Sequence, residues 1–304
     1  MKKSALKKIE NSVRTKKNEI LAPYTTYGVG GETPLMIFPE TDREAADTIE
    51  ILCSNRIPYM ILGNGSNILI SDKGYPGVVV QFGKKFRKID INGSIVTVGA
   101  MALLWDLVRK CAENGLSGLE DLAGIPGSVG GALYMNAGAY GTEISDKIIK
   151  IKGIDKKNCE MHWHDQGAMN FEYRKGPNRM IYLWAEFLMT IEDSEKCIAK
   201  IKEINNKRDE NQPLNKRSAG CVFKNPEGEH AGKIIDEIGL KGLSYNGAEV
   251  SSKHANFIIS SSAAKAGDIW KLIKMVKKTV KKYKNIQLET EIILKGEFDG
   301  KIYY

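Results

Sequence analysis

Residues 124–141 read GIPGSVGGALYMNAGAYG, six glycines in eighteen positions. Backbone without Cβ atoms can approach a ligand closely and aim several N–H groups at one anion. Connecting turns are the competing reading, but turns alone do not call for Gly-Ile-Pro-Gly, Gly-Gly and Asn-Ala-Gly in one short run. The first half offers Gly124, Ile125, Pro126, Gly127, Ser128, Gly130 and Gly131 for ligand contact. The second half offers Asn136, Gly138, Ala139, Tyr140 and Gly141. A second segment, Gly63-Asn64-Gly65-Ser66-Asn67, sits between two strand-like runs. Its small residues and hydroxyl suit a pyrophosphate, and its Asn-Gly pair equally suits a hairpin. Neither segment opens a helix with G-x-G-x-x-G, and neither carries G-x-x-x-x-G-K-[ST]. A dinucleotide bound here is held outside both schemes.

Other residues offer acid–base and carboxylate chemistry. In SAGCVFKNP, Cys221 follows a glycine and precedes a short strand-like run. An ordinary thiol titrates near about 8.5, so it holds a proton at neutral pH and can still release it. That suits a general acid, a nucleophile with a neighbouring base, or a buried structural cysteine. In LETEIILKG, strand alternation puts Glu289 and Glu291 on one face, with Glu289 the better candidate for a solvated position. Arg174, beside Tyr173 in FEYRKGPNR, suits bidentate capture of a carboxylate, and Arg179 reads as a surface residue. His162-Trp163-His164 puts two imidazoles on one strand face without a third metal ligand nearby, and neither His230 nor His254 stands beside a nucleophile.

These residues need scaffolding. Apolar spacing predicts helices over residues 42–56, 103–111, 195–208, 231–238 and 267–284. Strands are predicted over 59–62, 68–71, 78–82, 94–98, 148–154, 180–191, 221–223, 255–260 and 287–295. The polar stretch DENQPLNKR, residues 209–217, reads as a linker, dividing a larger N-terminal lobe from a smaller α+β lobe. The basic N-terminus through residue 19 reads as a solvated amphipathic helix, and it lacks the apolar core of a secretory signal.

Composition narrows the class. The chain has 304 residues, 42% hydrophobic and 27% charged, enough for a full core in one large domain or two. No run of eighteen apolar residues exists, so no membrane insertion is expected. Five cysteines without C-x-x-C spacing point to reduced thiols in a cytoplasm, four of them as core fillers. The net charge of +8 suits an anionic small substrate. It also suits nucleic acid, but exposed aromatics do not interleave the basic residues, and no nucleic-acid partner is expected.

Seven stretches, YTTYGVGG, LGNGSNILISD, AGIPGSVGGALYMNAGAYG, FEYRKG, SAGCVFKNP, KHANFI and LETEIILKG, occur in that order. Together they resemble the UDP-N-acetylenolpyruvoylglucosamine reductases, also called UDP-N-acetylmuramate dehydrogenases, over residues 18–296. The resemblance implies an α+β fold. A two-part FAD-binding lobe of the p-cresol-methylhydroxylase type would span residues 1–203, with subdomains 18–83 and 84–203. A substrate-binding lobe would span 204–304. It implies FAD as cofactor, NADPH as electron donor, a UDP-sugar substrate and a cytoplasmic, monomeric enzyme of peptidoglycan synthesis. The spacing from Gly141 to Arg174, and the lack of an insertion before Cys221, resemble the shorter subtype without a tyrosine-bearing loop.

In that family, hydride from flavin N5 goes to the vinyl carbon of the enolpyruvyl ether, and the adjacent carbon is then protonated. The proton donor falls on Cys221, where most members carry Ser. Arg174 and Glu291 match the residues that hold and polarise the substrate carboxylate. Tyr173, Arg208, Lys224 and Asn225 match positions near the substrate. A flavin-linked sugar oxidase of the same fold is the alternative, distinguished by oxygen consumption without NADPH. A basic nucleic-acid binder would be colourless, with steeply salt-dependent binding.

Overall fold

The computed structural model describes residues 2–304, which form two compact units. Unit 1 contains the described residues up to Lys17, then Leu35–Asn64 and Gly77–Asn206. Unit 2 contains Asn18–Pro34, Gly65–Pro76 and Lys207–Tyr304. The mixture of helix and sheet in each is the α+β class expected. Among the described residues no helix is long and apolar enough to cross a membrane.

In unit 1, helix α1 (Lys2–Ser12) gives way to a strand, Arg14–Ile20. The basic segment was expected to stay helical and solvated, with Met1 outside the described residues. Instead Ile9 and Val13 are buried in the unit 1 core, and sheet pairing overrides the weak strand propensity of Lys-Lys-Asn-Glu. Residues 35–37, 78–80 and 59–61 run parallel in one sheet, with Val78–Val80 in the middle. Helix α2 (Asp42–Ser54) lies in sequence between two of these strands. It starts where Thr41 Oγ1 accepts the Glu44 N–H, and it buries Ala45, Ile49 and Leu52. All three middle-strand valines are buried, as a strand covered on both faces requires.

A five-stranded antiparallel sheet forms the rest of unit 1, ordered Met161–Asp165, Ile148–Asp155, Met180–Leu188, Ile95–Gly99, Ile89–Asn92. Helices α3 (Leu104–Glu113), α4 (Val129–Tyr134) and α5 (Ser194–Asn211) contribute to its core through Leu107, Leu133, Cys197 and Ile201. Helix α5 runs to Asn211, three residues into the stretch expected to be a linker from residue 209.

Unit 2 is built on α6 (Ala231–Glu237) and α7 (Ala266–Lys284), whose Ile234, Ile269, Ile273 and Val276 share one cluster with Val222, Phe223 and Ile258. Tyr27, Val29 and Leu69 belong to the same cluster. Residues 68–70 also pair in parallel with 293–295. Segments 18–34 and 65–76, placed in the N-terminal lobe by sequence order, therefore pack with the C-terminal residues. Three expected strands start late or dissolve. Regular pairing begins at Ile258 and at Ile293, and residues 221–223 form only isolated bridges.

Candidate functional site

The glycine-rich stretch breaks into pieces with different reasons for lacking side chains. Ser128 caps α4, its Oγ accepting the Gly131 N–H at 3.2 Å, and it is 1% exposed. A Cβ at Gly63 would lie 2.4 Å from that oxygen. The two glycine segments are thus in direct contact inside unit 1, which their spacing in sequence does not reveal. The hairpin reading of residues 63–67 does not hold, because Tyr59–Ile61 and Ile68–Ile70 belong to different sheets. Gly63 is anchored instead by its carbonyl, which accepts from Gln81 Nε2 at 3.0 Å.

Three successive N–H groups of the second segment are already used within the chain. Those of Val129 and Gly130 donate to the carbonyls of Ala102 and Ala100 at 2.9 and 2.8 Å. That of Gly131 goes to Ser128. A Cβ at Gly130 would meet the Ala100 Cβ at 2.9 Å, so close packing accounts for that glycine. At the far end, residues 138–139 pair with 142–143, and Tyr140 and Gly141 have φ of +52° and +86°. That is the type I′ hairpin signature. Gly138 and Ala139 are thus the first strand of a hairpin, and Tyr140 and Gly141 are its turn.

Asn136 ties this stretch to the turn bearing Arg174. It is fully buried, and its Nδ2 donates to Glu143 Oε2 at 2.6 Å and to the Glu172 carbonyl at 3.2 Å. Its Oδ1 has no partner among the described residues. The Gly176 N–H donates to the Tyr134 carbonyl at 2.8 Å, holding the same two segments together. A buried amide oxygen awaiting a donor, beside backbone without Cβ atoms, fits a bound flavin, whose ring carries an N–H. The residues present therefore fit the cofactor that the sequence resemblance implies.

Arg174 occupies the third position of the turn Glu172–Lys175, closed by two backbone hydrogen bonds of 2.8 and 3.0 Å. Its φ is +56°, and its guanidinium lies 5.0 Å from the Tyr173 ring centre. A left-handed arginine costs roughly 1–2 kcal/mol, and such strain concentrates at working sites.

Within unit 2, Cys221 and Glu291 stand on neighbouring runs of chain. The Glu291 N–H donates to the Val222 carbonyl at 2.8 Å, and Lys224 N–H donates to the Glu289 carbonyl at 2.9 Å. Asn67 from the first glycine segment joins them, its Nδ2 donating to the Glu291 carbonyl at 3.2 Å. Glu289 is exposed, as expected, and its carboxylate pairs with Lys224 Nζ at 3.4 Å. Asn225 Oδ1 accepts the Ala231 N–H at 3.1 Å at the start of α6. Arg208 is buried in α5 at 7% exposed. Burial, then the charges of Lys241 and Arg208, hold the His254 imidazole below its ordinary pKa. Asn256 is the functional candidate missed in the sequence. The signal was a polar residue between Ala255 and Phe257, where burial demands a partner.

Cys111 and Cys197 fill the unit 1 core as expected. Cys53 and Cys159 are only half-buried at the rim of the second unit 1 cluster, with Cys53 Sγ 3.5 Å from the Tyr59 hydroxyl.

Known proteins resemble this chain in sequence and fold. A family model described as FAD binding domain matches residues 33–162. One described as UDP-N-acetylenolpyruvoylglucosamine reductase, C-terminal domain, matches residues 212–294. The chain is 39% identical over 301 residues to the UDP-N-acetylenolpyruvoylglucosamine reductase of Carboxydothermus hydrogenoformans, covering 98% of each chain. It is 38% identical over 300 residues to that of Clostridium tetani, covering 95% of each. The crystal structure of the Thermus caldophilus reductase superposes with a TM-score of 0.82 at 35% identity, covering 93% of this chain and 99% of that one. With both lobes matched and nearly the full length aligned, the chain belongs to the UDP-N-acetylenolpyruvoylglucosamine reductase family.

Proposed function

We propose that this chain reduces the enolpyruvyl ether of UDP-N-acetylglucosamine to the lactyl ether of UDP-N-acetylmuramate, with Cys221 as the proton donor. It is an FAD-dependent oxidoreductase of peptidoglycan synthesis. Bound FAD would supply hydride chemistry for the vinyl methylene carbon, with NADPH as electron donor. Negative charge then develops on the neighbouring carbon and its carboxylate. Arg174 takes that carboxylate through its planar fork, and Glu291 helps to hold and polarise it. The Cys221 S–H bond breaks as the new C–H bond forms, and the thiolate regains its proton from water. Lys224, Asn225, Arg208 and Tyr173 contact the rest of the UDP-sugar, its diphosphate displacing Glu289 from Lys224. The enzyme works as a cytoplasmic monomer.

One observation carries the assignment of the donor. The hydrogen bond from Glu291 N–H to the Val222 carbonyl at 2.8 Å holds the Cys221 run beside Glu291. A thiol is a far stronger acid than the hydroxyl most members carry, so the departure leaves the reaction class intact. Cys221→Ser should retain substantial substrate-dependent NADPH oxidation. Cys221→Ala should lose most of it while keeping FAD bound. An Ala variant with wild-type turnover would sink the role. NADPH-independent oxygen consumption with a sugar alcohol would point instead to an oxidase.

A further inference from the structure

The Cys221 run lacks a regular strand partner at Phe223, and one side chain supplies what the sheet does not. Asn256 is 3% exposed and Phe223 is 1% exposed. The Asn256 Oδ1 accepts the Phe223 N–H at 2.9 Å, and its Nδ2 donates to the Phe223 carbonyl at 2.8 Å. Its own carbonyl accepts the Val222 N–H at 2.8 Å. Three hydrogen bonds from one residue thus hold the two positions after Cys221. The carboxamide acts as a missing strand residue, offering donor and acceptor at the spacing of a peptide unit.

Asn256 is itself fixed. Its N–H donates to His254 Nδ1 at 3.2 Å, and the Phe257 N–H donates to the His254 carbonyl at 2.9 Å. The His254 and Phe257 rings meet edge to face at 4.8 Å. On the other side of Cys221, Gly220 has a φ of +73° and open space where a Cβ would be. Cys221 thus lies between a glycine and the clamped pair, and it also bridges Phe257, the residue after Asn256.

We propose that Asn256 is a positioning residue for the protonation step, holding the backbone of residues 222–223 so that the Cys221 thiol meets the reacting carbon. This rests on the reading of Cys221 as donor. Asn256 touches neither substrate nor cofactor in this role. It acts through the register of the run that carries the thiol, so its loss should slow proton delivery and leave NADPH oxidation by the bound flavin untouched. Displacing a reacting group by about 1 Å costs on the order of 100-fold in rate.

The test separates the two half-reactions of the FAD-loaded enzyme by stopped flow, in Asn256→Asp, Asn256→Ser, Cys221→Ala and the Asn256→Asp/Cys221→Ala double variant. Aspartate keeps the shape and the acceptor but loses the donor to the Phe223 carbonyl. Serine guards against a poorly folding aspartate variant. The expected result is a flavin reduction rate by NADPH within about twofold of wild type, with substrate-dependent reoxidation slowed on the order of 10- to 100-fold. The double variant should be no slower than Cys221→Ala alone, because the clamp has nothing left to position. Amide hydrogen exchange at Phe223 should accelerate in Asn256→Ser, which removes the acceptor of its N–H, while the exchange of α7 stays protected. Equal slowing of both half-reactions, additive effects in the double variant, or unchanged reoxidation would each overturn the proposal. If Cys221→Ala itself reoxidises at the wild-type rate, the donor reading fails, whatever Asn256 does.

Discussion

Replacing Gly63 by alanine isolates the contact between the two glycine segments. The backbone at Gly63 lies outside the left-handed region, so alanine carries no conformational penalty there. Its Cβ, however, would sit 2.4 Å from Ser128 Oγ, where ordinary contacts begin at 3.4 Å. The hydroxyl must rotate away, which breaks the cap to Gly131 and costs about 1 kcal/mol. Residual crowding of a buried site adds about 1–2 kcal/mol, for a total of roughly 2–3 kcal/mol. Ser128→Ala alone removes only the cap, about 1 kcal/mol. With both changes the nearest remaining atom is the residue 128 Cβ at 3.5 Å, an ordinary contact. The double variant should therefore cost about 1 kcal/mol, giving a coupling of roughly 2–3 kcal/mol in favour of the pair.

Urea unfolding of the flavin-free protein measures all four corners of this cycle, and flavin fluorescence on dilution measures cofactor retention. Gly63→Ala should release FAD more readily than Ser128→Ala, because only the former forces the two glycine segments apart. Additive stabilities, within about 0.5 kcal/mol, would refute the contact and with it the account of why residue 63 lacks a side chain.

Three further outcomes follow from buried polar groups. Asn136→Ala removes the donor to the Glu143 carboxylate, so it should destabilise unit 1 by about 2 kcal/mol and weaken FAD retention, read by thermal shift with and without FAD. Burial pushes the Glu120 carboxyl up, but hydrogen bonds from Ser117, the Glu120 and Gly118 backbone and Cys197 outweigh it and leave the group below its ordinary value. A depressed carboxyl contributes stability above the unfolded value of about 4.3 and loses it as pH falls further, so Glu120→Gln should flatten the acid limb of a urea-midpoint profile. The depressed His254 favours the neutral ring, so its contribution to unit 2 is present above about pH 6.5 and lost as pH falls through its lower folded value. NMR titration of His254 should find its midpoint below that of a free histidine, and a midpoint at or above it would contradict the burial argument.

Local patterns in this chain were readable where local physics decides them. The apolar spacing of α2 and α3 places both helices within two residues of their ends, because each buries a single stripe. Partnership was not readable in the same way. Residues 59–62 and 68–71 look like a hairpin around Asn-Gly, yet their partners are residues 78–80 and 293–295. Nothing in a strand's own sequence states which distant edge satisfies its hydrogen bonds.

The same limit explains what glycine density can and cannot say. Six glycines in eighteen residues suggested one backbone surface turned to one anion. In the fold, Gly130 is small because Ala100 is near, and Gly141 because a hairpin turns there. The Gly131 N–H already serves Ser128, so the stretch offers fewer free donors than its composition implies. The strongest residue-level sign of a ligand in unit 1 is instead a single atom, Asn136 Oδ1, fully buried and without a partner among the described residues. That atom is invisible to any count of glycines, since its isolation depends on where Glu143 and Glu172 place the other end of the same amide. A cofactor site of this kind is legible in sequence as a region, and only the packing around it says which atoms are left to bind.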